Sequence, residues 1–416
     1  MKRIFKNSNF IKFFVAQGLE QLGDSFLLMS LIAWVMTMKE NGSSSANMSL
    51  LMFWIGLPIV LFGPFAGVII DRFKKKNILM FSSFFIGICI VLIYLFVDKS
   101  RAPFIYILIF IKSLLSQLFI PSRSSLIPQI VDEQDLLDAN SFSASFIILI
   151  QIITYAFAGI VIAEIGYRDA FLINFFIYIF VFIIVFLIKE NEIIKVKKQI
   201  SLKDFKDEFK SGIQFLFSSE KILFVVRRVF FLLVGIGFIY VALTGSFLSS
   251  IINETGLKIK EIKALGFVQG FLGVGLVTGV LLVKYVLKLF KEQELIRLFY
   301  PIIGILIILI YFFRDFYFLL LIAVAGGIVG IMILSIAETE IQKNTTPEIR
   351  GRIFSVYYIL RGAGVAASTS LTGLVAKLIK EDQIILICGI LIFIYGLISF
   401  FMQRGYKIGR DKKTTT

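Results

Sequence analysis

Apolar side chains run through this chain in long blocks separated by short polar or charged segments. A helix rises about 1.5 Å per residue, so about 20 such residues cross a hydrocarbon core of about 30 Å. The blocks fall at residues 10–37, 48–70, 77–97, 103–122, 140–163, 170–188, 224–251, 263–286, 296–313, 316–337, 353–376 and 384–402, and the pattern predicts twelve membrane-spanning helices. The longest polar interruption follows the sixth block. It predicts an N-terminal six-helix bundle over 1–190, a cytoplasmic linker over 191–222, a C-terminal six-helix bundle over 223–403 and a basic cytoplasmic tail over 404–416. Within the linker, Leu202, Phe205, Phe209, Ile213 and Leu216 recur at helical spacing. That spacing suits an amphipathic helix on the membrane surface, with a disordered tether as the alternative.

The halves echo one another. Gly67-Val-Ile-Ile-Asp71-Arg72 closes the second span and Gly279-Val-Leu-Leu-Val283-Lys284 closes the eighth. Val131-Asp132-Glu133 after the fourth span is matched by Thr346-Pro347-Glu348 after the tenth. Matches at equivalent topological places point to duplication, as in transporters built from repeats. The expected fold class is an all-α membrane protein with twelve transmembrane helices in two pseudo-symmetric six-helix bundles.

Composition agrees: 58% hydrophobic residues, 46 Phe and 17% charged residues exclude a water-soluble globule of 416 residues. Mean hydropathy is +0.91. The net charge of +15 raises the question of a nucleic-acid partner. The cations, however, gather in the short segments between apolar blocks, a pattern that reports orientation. Placing the amino terminus in the cytoplasm puts most Lys and Arg on the inner side and leaves both termini cytoplasmic. The basic start, MKRIFKNSNF, leads into a long apolar region interrupted by Glu20 and Asp24, which reads as a retained first span. Two Cys, Cys89 and Cys388, lie inside apolar blocks and His is absent, so neither a disulfide nor a Cys/His metal site is expected. No cofactor is expected either. The stretch GFVQGFLGVGLVTG has no following Lys-Ser/Thr, so Gly266, Gly270, Gly273, Gly275 and Gly279 read as close helix packing rather than a phosphate cradle. Gly326, Gly327 and Gly330 suggest the same in the tenth span.

Between the second and third spans the chain reads GVIIDRFKKKNIL. Cations here fix orientation and meet anionic headgroups, but an acid among them needs a specific partner. Gly67, Ile69, Asp71, Arg72, Lys75 and Lys76 resemble the G-x-L-a-D-R-x-G-R-K loop of the major facilitator superfamily, with Lys74 in place of the second Gly. The resemblance implies a cytoplasmic gate in which Asp71 pairs with a cation at the end of span four, here Arg123, and with the start of span eleven near Arg352. Three further stretches resemble the bacterial drug-exporter branch that includes macrolide-efflux proteins: AQGLEQLGDS (16–25), FIKSLLSQLFIPSRSSLIPQIVDEQDLLDANS (110–141) and IQKNTTPEIRGRIFS (341–355). The location implied is a bacterial cell membrane.

Ionisable groups inside a span mark functional candidates. Gln17, Glu20, Gln21 and Asp24 form one polar stripe on the first span, with Glu20 about 15 Å deep. Lys112 lies at similar depth in span four, where the superfamily often has Arg. The resemblance implies that spans one, four, seven and ten line a central cavity. Glu20, Asp24 and Lys112 then form either a proton-coupling or substrate-cation site, or a static pair that orders packing. Two carboxylates beside one cation leave one uncompensated. Arg361 in span eleven is read as structural or gating, Arg227 and Arg228 as interfacial anchors, and Glu338 and Glu340 as partners of Arg350 or Arg352. The expected activity is export of a hydrophobic or amphipathic small molecule by alternating access, with proton antiport. A lipid, siderophore or metabolite carrier of the same fold is the alternative. A lipid-modifying enzyme or a membrane sensor is disfavoured. Expected partners are the small-molecule substrate, protons and membrane lipids; a monomer is compatible with the sequence.

Overall fold

A computed structural model describes residues 4–38, 44–71, 73–97, 101–189, 202–290 and 292–411. They are helical almost throughout. The chain divides into two compact units, one comprising Met1–Gly42, Leu50–Glu208 and Ile262–Gly266, the other Ser43–Ser49, Phe209–Glu261 and Phe267–Thr416.

The first unit is built from α1 (Ser8–Met36), most of α2 (Ser44–Asp71), α3 (Lys75–Phe96), α4 (Ala102–Ile130) and α5 (Leu136–Phe186). Asn7 starts α1 by accepting from the backbone N–H groups of Asn9 and Phe10, at 3.0 and 3.2 Å, which satisfies two of the donors every helix leaves open. Its amide also donates to the Ile130 carbonyl at 2.6 Å, tying the start of α1 to the end of α4. α5 holds two spans. They meet at Gly166, whose φ of 86° and ψ of 162° leave the helical region. Only glycine adopts that backbone without strain. The inner end of the unit is closed by an apolar core that includes Phe10, Phe13, Phe119, Leu126 and Val185, with Phe14 stacked on Phe146 at 4.0 Å.

The second unit contains the start of α2, most of α6 (Leu202–Ser218), α7 (Glu220–Ala242), a π-helical turn (Leu243–Phe247), α8 (Leu248–Glu254), most of α9 (Glu261–Leu289), α10 (Glu292–Phe312), α11 (Phe316–Lys343), α12 (Pro347–Val375) and α13 (Glu381–Asp411). α7, the π turn and α8 form one continuous candidate span, Glu220–Glu254. On the opposite side from the linker, Arg314 bridges Glu254 at 2.9 Å and Asp382 at 2.7 Å, clamping α8 and α13 to the short α10–α11 turn.

Ten helical segments among the described residues are long and apolar enough to cross a membrane. One of them, Asp138–Phe186, is the kinked pair. α12 matches them in length but carries Arg350, Arg352 and Arg361 with a Ser/Thr-rich second half. With α5 taken as two spans and α12 added, the helices supply the twelve spans that the hydropathy pattern predicts.

The linker helix α6 forms where the apolar spacing places it. Its described apolar side chains do not simply lie on a membrane surface. Leu216 is buried and Ile213 and Phe215 pack against the inner core of the second unit with Ile222, Val226, Ile353 and Tyr357. Gly212 lets α6 approach α12: a Cβ there would stand 3.0 Å from the Arg352 carbonyl oxygen. The side chains of Leu202, Phe205 and Phe209 lie outside the described residues.

Candidate functional site

The polar stripe of α1 faces protein. Arg123 on α4 donates to the Glu20 carboxylate at 3.0 Å, with side chains only 12% and 4% exposed. Lys112, also on α4, contacts the Asp24 carboxylate, and here the acid is 42% exposed. Because Glu20 precedes Asp24 while Arg123 follows Lys112, the two pairs run as rungs between antiparallel helices. Gln21 donates to Ser25 Oγ at 3.1 Å. Gln17 is buried, and neither atom of its amide has a hydrogen-bond partner among the described residues.

This corrects the expected charge count. Two carboxylates do not compete for Lys112, because Arg123 supplies a second cation and the quartet is formally neutral. The same contact gives Arg123 a partner that the sequence did not suggest: it lies against Glu20, while its expected partner Asp71 has a side chain outside the described residues. Arg123 sits one turn before Ile127 and two before Ile130 at the end of α4, and a long side chain from there has the reach to meet the buried acid.

Of the remaining gate residues, Arg72, the surroundings of Gly67 and the side chain of Asp71 lie outside the described residues. Lys75 donates to the Ile70 carbonyl at the end of α2, and Lys76 to the Ile188 carbonyl at 2.6 Å beyond the end of α5. Both cations therefore meet the negative ends of helices. Arg352 donates to Ser211 Oγ of α6 at 3.3 Å.

In the second unit Arg361 finds its counter-charge in Glu338, at 2.8 Å across α12 and α11. The expected pairing of Glu338 with Arg350 or Arg352 gives way to this one. Arg350 instead donates to the Gln342 carbonyl in the last turn of α11 and to the Thr345 carbonyl just beyond it. At the inner end of α10, Glu292 accepts from Lys343, and hydrogen bonds from Glu340 and Lys343 hold its carboxyl below the usual range. Arg227 is exposed, as an interfacial anchor would be, but Arg228 is 1% exposed and belongs to the protein interior.

Sequence reading missed an aromatic cluster. Tyr106 lies 5.6 Å from Trp34 and 6.4 Å from Trp54 between ring centroids, and Phe110 lies 6.0 Å from Trp54 and 6.4 Å from Phe62. Phe110 stands two residues before Lys112. The signal in the sequence was that both Trp of the chain lie in its first two spans; it was lost among 46 Phe.

A family model described as Major Facilitator Superfamily matches residues 13–369. The chain is 28% identical over 174 residues to the "Uncharacterized MFS-type transporter YfiS" of Bacillus subtilis (strain 168), an alignment covering 42% of this chain and 40% of that protein. The chain thus spans less than half the length of that relative. It is 22% identical over 415 residues, 98% of either chain, to the "Putative bacilysin exporter BacE" of the same organism. Among solved structures, the nucleoside transporter NupG superposes with a TM-score of 0.74 at 14% identity, over 95% of this chain and 99% of that one. At such identity the likeness is one of fold.

Proposed function

The chain belongs to the major facilitator superfamily, whose members are secondary transporters and not enzymes, and from that premise we propose that it exports hydrophobic or amphipathic small molecules, drug- or macrolide-like, by alternating access with proton antiport. The observation that carries this reading is the buried Glu20–Arg123 pair beside Asp24–Lys112.

A carboxylate enclosed in a membrane protein is stable only with its counter-charge. Adding a proton to Glu20 removes the negative partner of Arg123 and leaves a guanidinium in search of an acceptor. The tie between α1 and α4 then weakens, and the helices are free to repack. Glu20, enclosed with Arg123, is the group whose charge state alters the packing. In the absence of His, carboxylates are the side chains able to carry that proton. The aromatic cluster of Trp54, Tyr106 and Phe110 between α2 and α4 is a source of apolar and π contacts, suited to a cargo with a greasy body. Alignment with an exporter along the full chain supports the outward direction.

Everted membrane vesicles energised with a proton gradient test this directly. Wild-type protein should accumulate a lipophilic fluorescent drug, an uncoupler should abolish accumulation, and Glu20→Gln should reduce it to the level of empty vesicles at equal protein abundance. Full uphill transport by Glu20→Gln would remove Glu20 from the coupling step.

A further inference from the structure

The second unit holds an ion pair whose hydrogen-bonding capacity is only partly used. Arg361 on α12 donates to Oε1 of Glu338 on α11 at 2.8 Å, and the Tyr358 hydroxyl reaches the same oxygen at 3.5 Å. Oε2 of Glu338 has no hydrogen bond among the described residues. A guanidinium carries five N–H donors. Glu338 engages one of them and the Tyr357 hydroxyl lies beside the group; the remaining donors meet no other acceptor among the described residues. The guanidinium carbon lies 5.3 Å from the centre of the Tyr357 ring and 5.4 Å from that of Tyr358. Tyr357 is buried, whereas Tyr358 is 51% exposed. The charged side chains are open as well, 25% for Arg361 and 32% for Glu338.

The surroundings of the pair are polar. Ser335, Glu338 and Gln342 share one face of α11 at helical spacing, and Ser355 and Tyr358 share one of α12 with Arg361 a turn further on. All six are half-buried or exposed. The apolar residues of these helices pack elsewhere: Ala337 and Ile341 of α11 and Ile353 and Val356 of α12 are buried in one core with Val226 and Val229 of α7. An ion pair open to acyl chains is costly, and a face that also carries two serines and an amide is not one that hydrocarbon covers. The pair therefore looks onto water.

We propose that Glu338, Arg361 and Tyr358 form a binding site for the head group of a zwitterionic amphiphile, of which an α-amino acid with a bulky apolar side chain is the simplest case. The ligand ammonium donates to Oε2 of Glu338, the ligand carboxylate accepts from the open donors of Arg361, and the apolar body lies on the exposed ring of Tyr358. Charge balance selects this class. The protein pair is neutral, so a lone amine would set a second cation beside Arg361 and a lone acid a second anion beside Glu338, each without compensation. A zwitterion presents both charges and adds none. Its closely spaced opposite charges also match a protein pair whose own groups touch. The site names a head group for the amphipathic cargo proposed above and rests on that reading for transport, whereas binding itself involves neither Glu20 nor the proton.

The test measures binding to the full chain, purified in uncharged detergent, by isothermal titration against protein-free micelles. The probe is biphenylalanine, compared with biphenylethylamine, which lacks the carboxylate and is cationic, and with biphenylpropanoic acid, which lacks the ammonium and is anionic. Wild-type protein should bind the zwitterion saturably and each truncated form about tenfold or more weakly, the cost of one lost charge-assisted contact. Glu338→Gln leaves Arg361 uncompensated and should reverse the order in favour of the acid; Arg361→Gln should reverse it in favour of the amine. A pair that only orders packing would lose stability in these variants without any such reversal. No saturable binding by the wild type overturns the proposal, as do truncated forms that bind as tightly as the zwitterion or folded variants that keep the wild-type order. Should neither variant fold, the wild-type series decides alone. Drug accumulation in wild-type vesicles without zwitterion binding removes this site and leaves the exporter; binding without accumulation supports the site and removes the export reading.

Discussion

At the scale of single residues, the deciding contact is Arg123 with Glu20. Both side chains are nearly enclosed, so each depends on the other for its charge. Truncating one partner of such a pair leaves the other charge buried, at a cost of about 3–5 kcal/mol, whereas replacing both with neutral groups of similar size costs far less. Arg123→Gln should therefore lower the unfolding temperature in detergent more than the double variant Glu20→Gln/Arg123→Gln. Strictly additive losses in a double-mutant cycle would mean that the two groups do not interact. Asp24 and Lys112 make a different case. With the acid 42% exposed, this pair is less enclosed than Glu20 and Arg123, and Lys112→Met should cost less than Arg123→Gln in the same measurement.

At the scale of helices, close approach is set by a few glycines and not by every glycine in a small-residue run. A Cβ at Gly275 would stand 2.2 Å from the Val324 carbonyl oxygen, and one at Gly327 would stand 2.4 Å from that of Leu272. α9 and α11 touch backbone to backbone there. Gly326 and Gly330, which read alike in the sequence, have nothing within 4 Å of the place a Cβ would take. Gly327→Ala should consequently destabilise the protein by about 1–3 kcal/mol, as overpacking does. Gly326→Ala should be neutral or slightly stabilising, since Ala favours a helix over Gly by about 0.5–1 kcal/mol. Thermal unfolding of the two purified variants checks the contrast, and similar behaviour would place the contact elsewhere.

At the scale of the whole molecule, orientation follows from where cations sit. Lys75 and Lys76 are held by carbonyls at helix ends, on the side assigned to the cytoplasm, while the turn around Gly256 joins α8 to α9 in a segment that the hydropathy pattern assigns to the outside. With Cys89 and Cys388 replaced by Ala, Leu257→Cys should react with a membrane-impermeant maleimide in intact cells. Lys74→Cys should react only after permeabilisation. The reverse pattern would invert the topology.

Span number, the break between the fifth and sixth spans and the helix in the linker were legible from the sequence alone. They depend on hydropathy and period, which are local properties of the chain, and a bilayer admits few other solutions for about 20 apolar residues. So was the polar stripe Gln17, Glu20, Gln21 and Asp24, because helical spacing fixes which residues share a face. Partners were a different matter. That Arg123 would meet Glu20, that Glu338 would find its cation in Arg361, and that Arg228 would turn inward while its neighbour Arg227 faces out were decided in three dimensions. Long cationic side chains reach about 6 Å or more in any direction from a helix, and within that reach the packing of other helices selects the counter-charge.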